Sequence, residues 1–125
     1  MFRSLYIAAL ILAFSAGFLA AKGAEEGIIY LRASSKGGEY VGEAENAARY
    51  AERQLEHAAA NPTESVVFQE LERVPAGSRR SLNVAEEDWI RAGGGPRSTG
   101  GRLENARHQM NDEAYRGAGG TISYP

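Results

Sequence analysis

Eighteen residues without a charge, Ser4 to Ala21, set the first limit on what this chain can fold into. They withdraw a large share of the strongly apolar side chains from any water-soluble core. Arg3 precedes the stretch, and Lys22, Glu25 and Glu26 follow it. A secretory signal peptide needs a positive start, an apolar helical centre of about 7–15 residues and a small-residue end. Here Leu5 to Leu12 with the following Ala and Phe residues form the centre, and Ala16, Gly17, Ala20, Ala21, Gly23 and Ala24 the small end. There is no A-x-A triplet, so cleavage is expected after Ala21 or Gly23. The alternative is a retained anchor. At about 1.5 Å per residue the stretch makes roughly 27 Å of helix, close to the roughly 30 Å hydrocarbon layer of a bilayer. In both readings the chain from residue 24 onward reaches the far side of a membrane: secreted if the leader is cut, single-pass with its C-terminus on the far side if it is not.

Removing residues 1–23 leaves about a hundred residues, enough for one small domain. Its apolar share is dominated by Ala, which contributes little buried surface at about 25 cal/mol per Å². Phe2, Phe14 and Phe18 belong to the leader, so Phe68 is the remaining Phe and Trp89 the single Trp. The chain has no Cys. That excludes a disulfide-stapled scaffold, a Cys-zinc site and a thiol enzyme. A net charge of −2 with interspersed basic and acidic residues gives no footprint for nucleic acid. Stability is therefore expected from helix packing or from a protein partner.

The pattern along the chain predicts a mostly α body of short, loosely packed helices behind an N-terminal hydrophobic helix. Gly27 to Leu31 is a short β-branched and aromatic run, open to a strand or a flank of the leader. Glu43 to Ala60 reads as a helix, with Ala44, Ala47, Ala48, Ala51, Leu55, Ala58 and Ala59 at helical spacing and Asn61-Pro62 as its stop. For Thr63 to Val74 both elements remain open: Val67, Leu71 and Val74 fit a helix capped by Thr63, whereas Ser65 to Phe68 has strand composition, and the helix is preferred. Asn83 with Glu86 resembles a capping box opening a short helix through Trp89 and Ile90, which Gly93 ends. These segments make up a small helical region, 24–92. Residues 93–101 read as a Gly-rich linker, 102–117 as a last helix with Leu103, Ala106, Met110 and Ala114 on one face, and 118–125 as a disordered tail.

No pattern names a reaction. Glu104, His108 and Asp112 fall at i, i+4 and i+8, but three ligands on one short helix do not converge on one ion, and a solvated face is the expected reading. His57 reads as a surface histidine. The Gly93–Gly101 loop lacks the Lys of a P-loop, and there is no Gly-x-Ser-x-Gly elbow. Glu86, Glu87 and Asp88 at a helix start are expected to complement its dipole. No catalytic, cofactor or metal residue is therefore assigned. The candidate interface is Trp89 with Ile90, because a large rigid ring buries much area at little entropic cost. The competing reading packs Trp89 against the alanine stripe of the 43–60 helix.

Arg79-Arg80-Ser81-Leu82-Asn83, followed by Glu86-Glu87-Asp88, resembles the targeting region of oomycete RxLR effectors. Arg80, Ser81 and Leu82 match the first three positions of Arg-x-Leu-Arg. Asn83 replaces the final Arg, and Asp88 stands where the acidic element ends in Arg. The resemblance implies secretion toward a host cell and a non-enzymatic role; Arg79-Arg80 would also suit a processing protease. The functional expectation is an exported, non-enzymatic interaction protein with a protein partner. Its alternative is a membrane-anchored small subunit of a larger complex, held in the bilayer by Ser4 to Ala21.

Overall fold

The computed structural model describes residues 25–122, so the expected leader lies outside the described part, as do residues 123–125. The fold is α/β and corrects the mostly helical expectation. Three strands, β1 (Glu26–Ser34), β2 (Glu39–Ala44) and β3 (Val66–Pro75), form one antiparallel sheet in the order β2-β1-β3. Helix α1 (Ala47–Ala60) connects β2 to β3, α2 (Leu82–Ala92) follows β3, and α3 (Asp112–Gly117) is a short C-terminal turn. No described helix is long and apolar enough to cross a membrane.

The Gly27–Leu31 run is the middle of the central strand. A strand alternates its side chains between two faces, and a strand covered on both faces reads as an unbroken apolar run. Ile28 and Tyr30 point to one face with Ala44 of β2 and Tyr50 of α1, while Ile29 and Leu31 point to the other with Ala85 and Ile90 of α2. All four β1 side chains are buried. Burying each of the aliphatic ones contributes about 1.5–3 kcal/mol, which offsets the shortage of large side chains in the Ala-rich helices. Tyr30 also needs room across the pleat. A Cβ on Gly42, its opposite number in β2, would stand 2.5 Å from the Tyr30 ring.

The hairpin between β1 and β2 closes at Gly37, with φ of 91°, and Gly37 N donates to Ser34 O at 2.9 Å. The expected 43–60 helix starts later than its alanine spacing suggested. Glu43 and Ala44 complete β2, and the Asn46 side chain caps α1 by accepting from Arg49 N at 2.8 Å. The helix stops at Ala60, before Asn61-Pro62.

The preferred helix over Thr63–Val74 is instead β3. Its pairing with β1 shifts register at Ile29/Tyr30, so Leu71 is a bulged residue between Glu70 and Glu72. Helix α2 begins one cap earlier than the Asn83/Glu86 box. Ser81 is the N-cap, accepting from Val84 N at 3.2 Å, and Asn83 lies inside the helix.

Residues 93–101 fold rather than link, because Gly95 and Pro96 are buried and Pro96 bridges Leu103. The stretch from Arg102 to Asn111 is extended and turned, so of the expected 102–117 helix only Asp112–Gly117 forms. Asn105 takes the place of a fourth strand on β2. Its Nδ2 donates to Val41 O at 2.7 Å and its Oδ1 accepts from Val41 N at 2.9 Å, while Glu104 N donates to Glu39 O at 2.7 Å. The tail keeps its turn through Gly120, whose N donates to Tyr115 O at 2.9 Å.

Candidate functional site

Three groups of side chains carry chemistry. The first is on the α1 face of the sheet, where His57 is half-buried rather than a surface residue. Its ring lies 5.8 Å from Tyr30, 5.1 Å from Tyr40 and 5.8 Å from Phe68, centroid to centroid. Arg32 Nη1 lies 3.0 Å from Nδ1 and the Tyr30 hydroxyl 2.9 Å from Nε2. A guanidinium only donates, so Nδ1 accepts, and the neutral ring carries its proton on Nε2 and donates it to Tyr30. Burial, with the charges of Arg32 and Arg53, pushes His57 down to about 4. Burial likewise raises the Tyr30 hydroxyl above its usual range. Arg32 continues the chain, donating from Nη2 to Glu104 Oε1 at 2.8 Å, and its guanidinium sits 5.0 Å above the Tyr40 ring. The two Nη groups of Arg32, both ring nitrogens of His57 and the Tyr30 hydroxyl thus face one another or Glu104, while Arg32 Nε is buried without a hydrogen-bond partner among the described residues. The group fastens α1 and the 102–108 segment to β1.

The second group surrounds Glu87, whose side chain is fully buried. His108 Nδ1 donates to it at 2.6 Å, Met110 N donates at 2.9 Å, and Arg91 Nε lies 2.6 Å away. Arg91 extends to Asp112 at 2.9 Å and lies 4.4 Å over the Tyr115 ring. A buried carboxylate is tolerated only when paired, and here a guanidinium, an imidazole N–H and a backbone amide share it. The Tyr115 hydroxyl, donating to Asp88, is pushed up to about 12 by burial and by that carboxylate. Glu104, His108 and Asp112, expected on one helical face, go to three separate partners. Among the described residues no three His, Asp or Glu side chains are placed to hold a metal.

The third is a recess of about 410 Å³ where the C-terminal end of α2 meets the sheet. Leu31, Val41, Leu71 and Leu103 form its apolar wall, Trp89 and Arg102 its rim. Trp89 packs on the core cluster of the α2 face, and its Nε1 donates to Glu72 Oε1 at 2.9 Å. It therefore sits across the sheet from the alanine stripe of α1, not against it. Ile90, paired with Trp89 as a candidate contact, is fully buried and faces the sheet.

The Arg79–Asp88 element is divided among structural roles. Arg79 is exposed, Arg80 pairs with Glu72 at 2.7 Å and with Asp88, Ser81 caps α2 and Leu82 packs on the core. Glu86 and Glu87 are buried instead of lining an exposed helix start. Burial and the hydrogen-bonded Glu43 carboxyl push Glu86 up to about 9, so Glu86 holds its proton at neutral pH. Sequence reading passed over Arg32, took His57 for a surface histidine and gave Glu87 a targeting or helix-dipole role. Only the singular position of His57, near the end of an Ala-rich helix, offered a signal.

The chain matches no protein-family profile, no curated protein and no solved structure.

Proposed function

We propose that this chain is an exported, non-enzymatic interaction protein that takes an apolar group of a protein partner into the Trp89 recess. One observation carries the reading: an apolar cleft of about 410 Å³ stays open beside the single Trp, although the core around it is closed. Pockets of this size with apolar walls and few polar groups suit one or two side chains of a partner. Trp at the rim supplies the anchor that such contacts favour. The narrower reading, a host-directed effector, rests on the Arg79–Asp88 resemblance alone.

A photoreactive residue in place of Ala92, at the recess margin, tests the proposal in the exporting cell. A crosslinked protein partner that is lost on Trp89→Ala, with circular dichroism unchanged, is the expected result. Unchanged crosslinking in Trp89→Ala would sink it.

The membrane-anchored reading is favoured by one feature. Strand β1 begins at Glu26, only a few residues after Ala21, so an uncut leader would hold the sheet close to the bilayer. Cleavage after Ala21 or Gly23 would leave β1 whole. Intact mass of the protein from its native source separates the two: a mature N-terminus at Lys22 or Ala24 removes the anchor, and a full-length mass in the membrane fraction removes the secreted form.

A further inference from the structure

The two edges of the sheet end differently. On β2 the Val41 peptide is closed by Asn105 and the Glu39 carbonyl by Glu104 N. On β3, among the described residues, no main-chain group from Val66 to Val74 bonds to anything but β1. Charged side chains and a bulge ordinarily blunt such an edge, and Glu70, Glu72, Arg73 and the Leu71 bulge are all present. Their arrangement is nevertheless self-complementary.

The bulge breaks the alternation of β3 at its centre. Leu71 packs on the α2-face core and Glu72 bonds Trp89 on that same face. Glu70 stands opposite Tyr30 and Arg73 opposite Ile28, both on the α1 face. About the Leu71–Glu72 peptide the faces therefore read α1, α2, α2, α1. In an antiparallel pair, residues directly opposite each other share a face. Two β3 strands centred on that peptide match face for face: Leu71 meets Glu72, Gln69 meets Val74, and Glu70 meets Arg73 of the other copy, twice. A slip of one residue sets Glu70 against Glu72 on opposite faces and loses the match.

A second observation lies along the same margin. Between α1 and β3 is a recess of about 470 Å³, lined by Ile28, Ala51, Leu55 and Arg73 among others. Leu55, 74% exposed, stands at it without apolar cover from the described residues.

We propose that the β3 edge is a homodimer interface. Two copies pair antiparallel about Leu71–Glu72 into one six-stranded sheet, with both α1 helices on the same face and Leu55 beside the junction. The Glu70–Arg73 pair inside each chain becomes a ring of four charges across the two-fold axis. This goes beyond the Trp89 recess, which lies on the α2 face.

Sedimentation equilibrium of the purified full chain across a micromolar concentration series tests it. The expected result is a reversible monomer–dimer equilibrium. Glu70→Arg alone and Arg73→Glu alone each set like charges opposite one another twice, and each should weaken association about tenfold or more. Mixing the two variants should restore the dimer, because each chain then faces its complement although its internal pair stays broken. Leu55→Lys, at an exposed site that does not threaten folding, should also weaken the dimer. A wild-type chain that stays monomeric throughout overturns the proposal. So does a mixture that associates no better than its components while both retain native circular dichroism.

Discussion

Arg32 donates from Nη1 to Nδ1 of His57 at 3.0 Å, and this bond exists only while His57 is neutral. Protonation would set an N–H against a guanidinium inside an aromatic pocket. The bond thus couples the seating of α1 on the sheet to the ionisation of one ring.

The sign of the resulting pH dependence follows from the depressed value. Between pH 6.5 and about 4 the unfolded chain binds a proton on His57 that the folded chain does not. The His57 contribution to stability is therefore full above about 6.5 and falls as pH drops toward 4. His57→Gln should lose about 1–3 kcal/mol at pH 7.5, as a partly buried hydrogen-bonded group is replaced. It should also lose less than the wild type between pH 6.5 and 4.5. Urea titrations at several pH values check this; parallel pH slopes for the two proteins would refute it.

Glu86 moves the opposite way. Its folded value, about 9, lies above the ordinary 4.5, so its contribution is complete below 4.5 and is lost as pH rises toward 9. Glu86→Gln keeps a neutral hydrogen-bonding side chain beside Glu43 without the titration. The variant should match the wild type near pH 5 and exceed it in thermal midpoint at pH 8.5. Equal alkaline loss in both proteins would place the proton elsewhere.

How far such sites could be read in advance depended on local periodicity. Helix α1 was legible because Ala spacing and the Asn61-Pro62 stop act within a few residues, although the Asn46 cap went unread and the start was set at Glu43 instead of Ala47. β3 was not, since its bulge puts Leu71 and Glu72 on one face and destroys the alternation of a strand, while Glu70, Leu71, Glu72 and Arg73 suit a helix. Leu103, Ala106 and Met110 have helical spacing, yet the backbone at Leu103 bridges Pro96 and the next residues turn to cap β2. Burial of Glu87 and His57 comes from elements far apart in the chain. No local window contains it.

Asn105 illustrates such a distant contact and can be tested directly. It is 5% exposed, and both hydrogen bonds go to the Val41 peptide. Asn105→Ala leaves a buried N–H and carbonyl without partners, at a cost of about 1–3 kcal/mol. Amide exchange at Val41 should accelerate more than at Ile29 in the sheet centre. Uniform acceleration across the sheet would mean that Asn105 supports the fold generally instead of closing the β2 edge.

Glu87 should be the more sensitive site. Its carboxylate is fully buried between Arg91 and His108, and Met110 N also bonds to it at 2.9 Å. Removing it in Glu87→Ala leaves the largely buried Arg91 with only the exposed Asp112 as its charge partner, and breaking such a pair costs up to about 3–5 kcal/mol. Glu87→Gln keeps the shape and one acceptor but not the charge, and should fall between the variant and the wild type. The double change Glu87→Leu with Arg91→Met removes both members of the ion pair and leaves His108 without its partner. It should recover part of the loss, because no guanidinium that has lost its buried carboxylate then remains, although Asp112 also loses its partner. Denaturant unfolding of the four proteins measures the ordering. A double variant less stable than Glu87→Ala would show that the network contributes net stability rather than compensating its own desolvation.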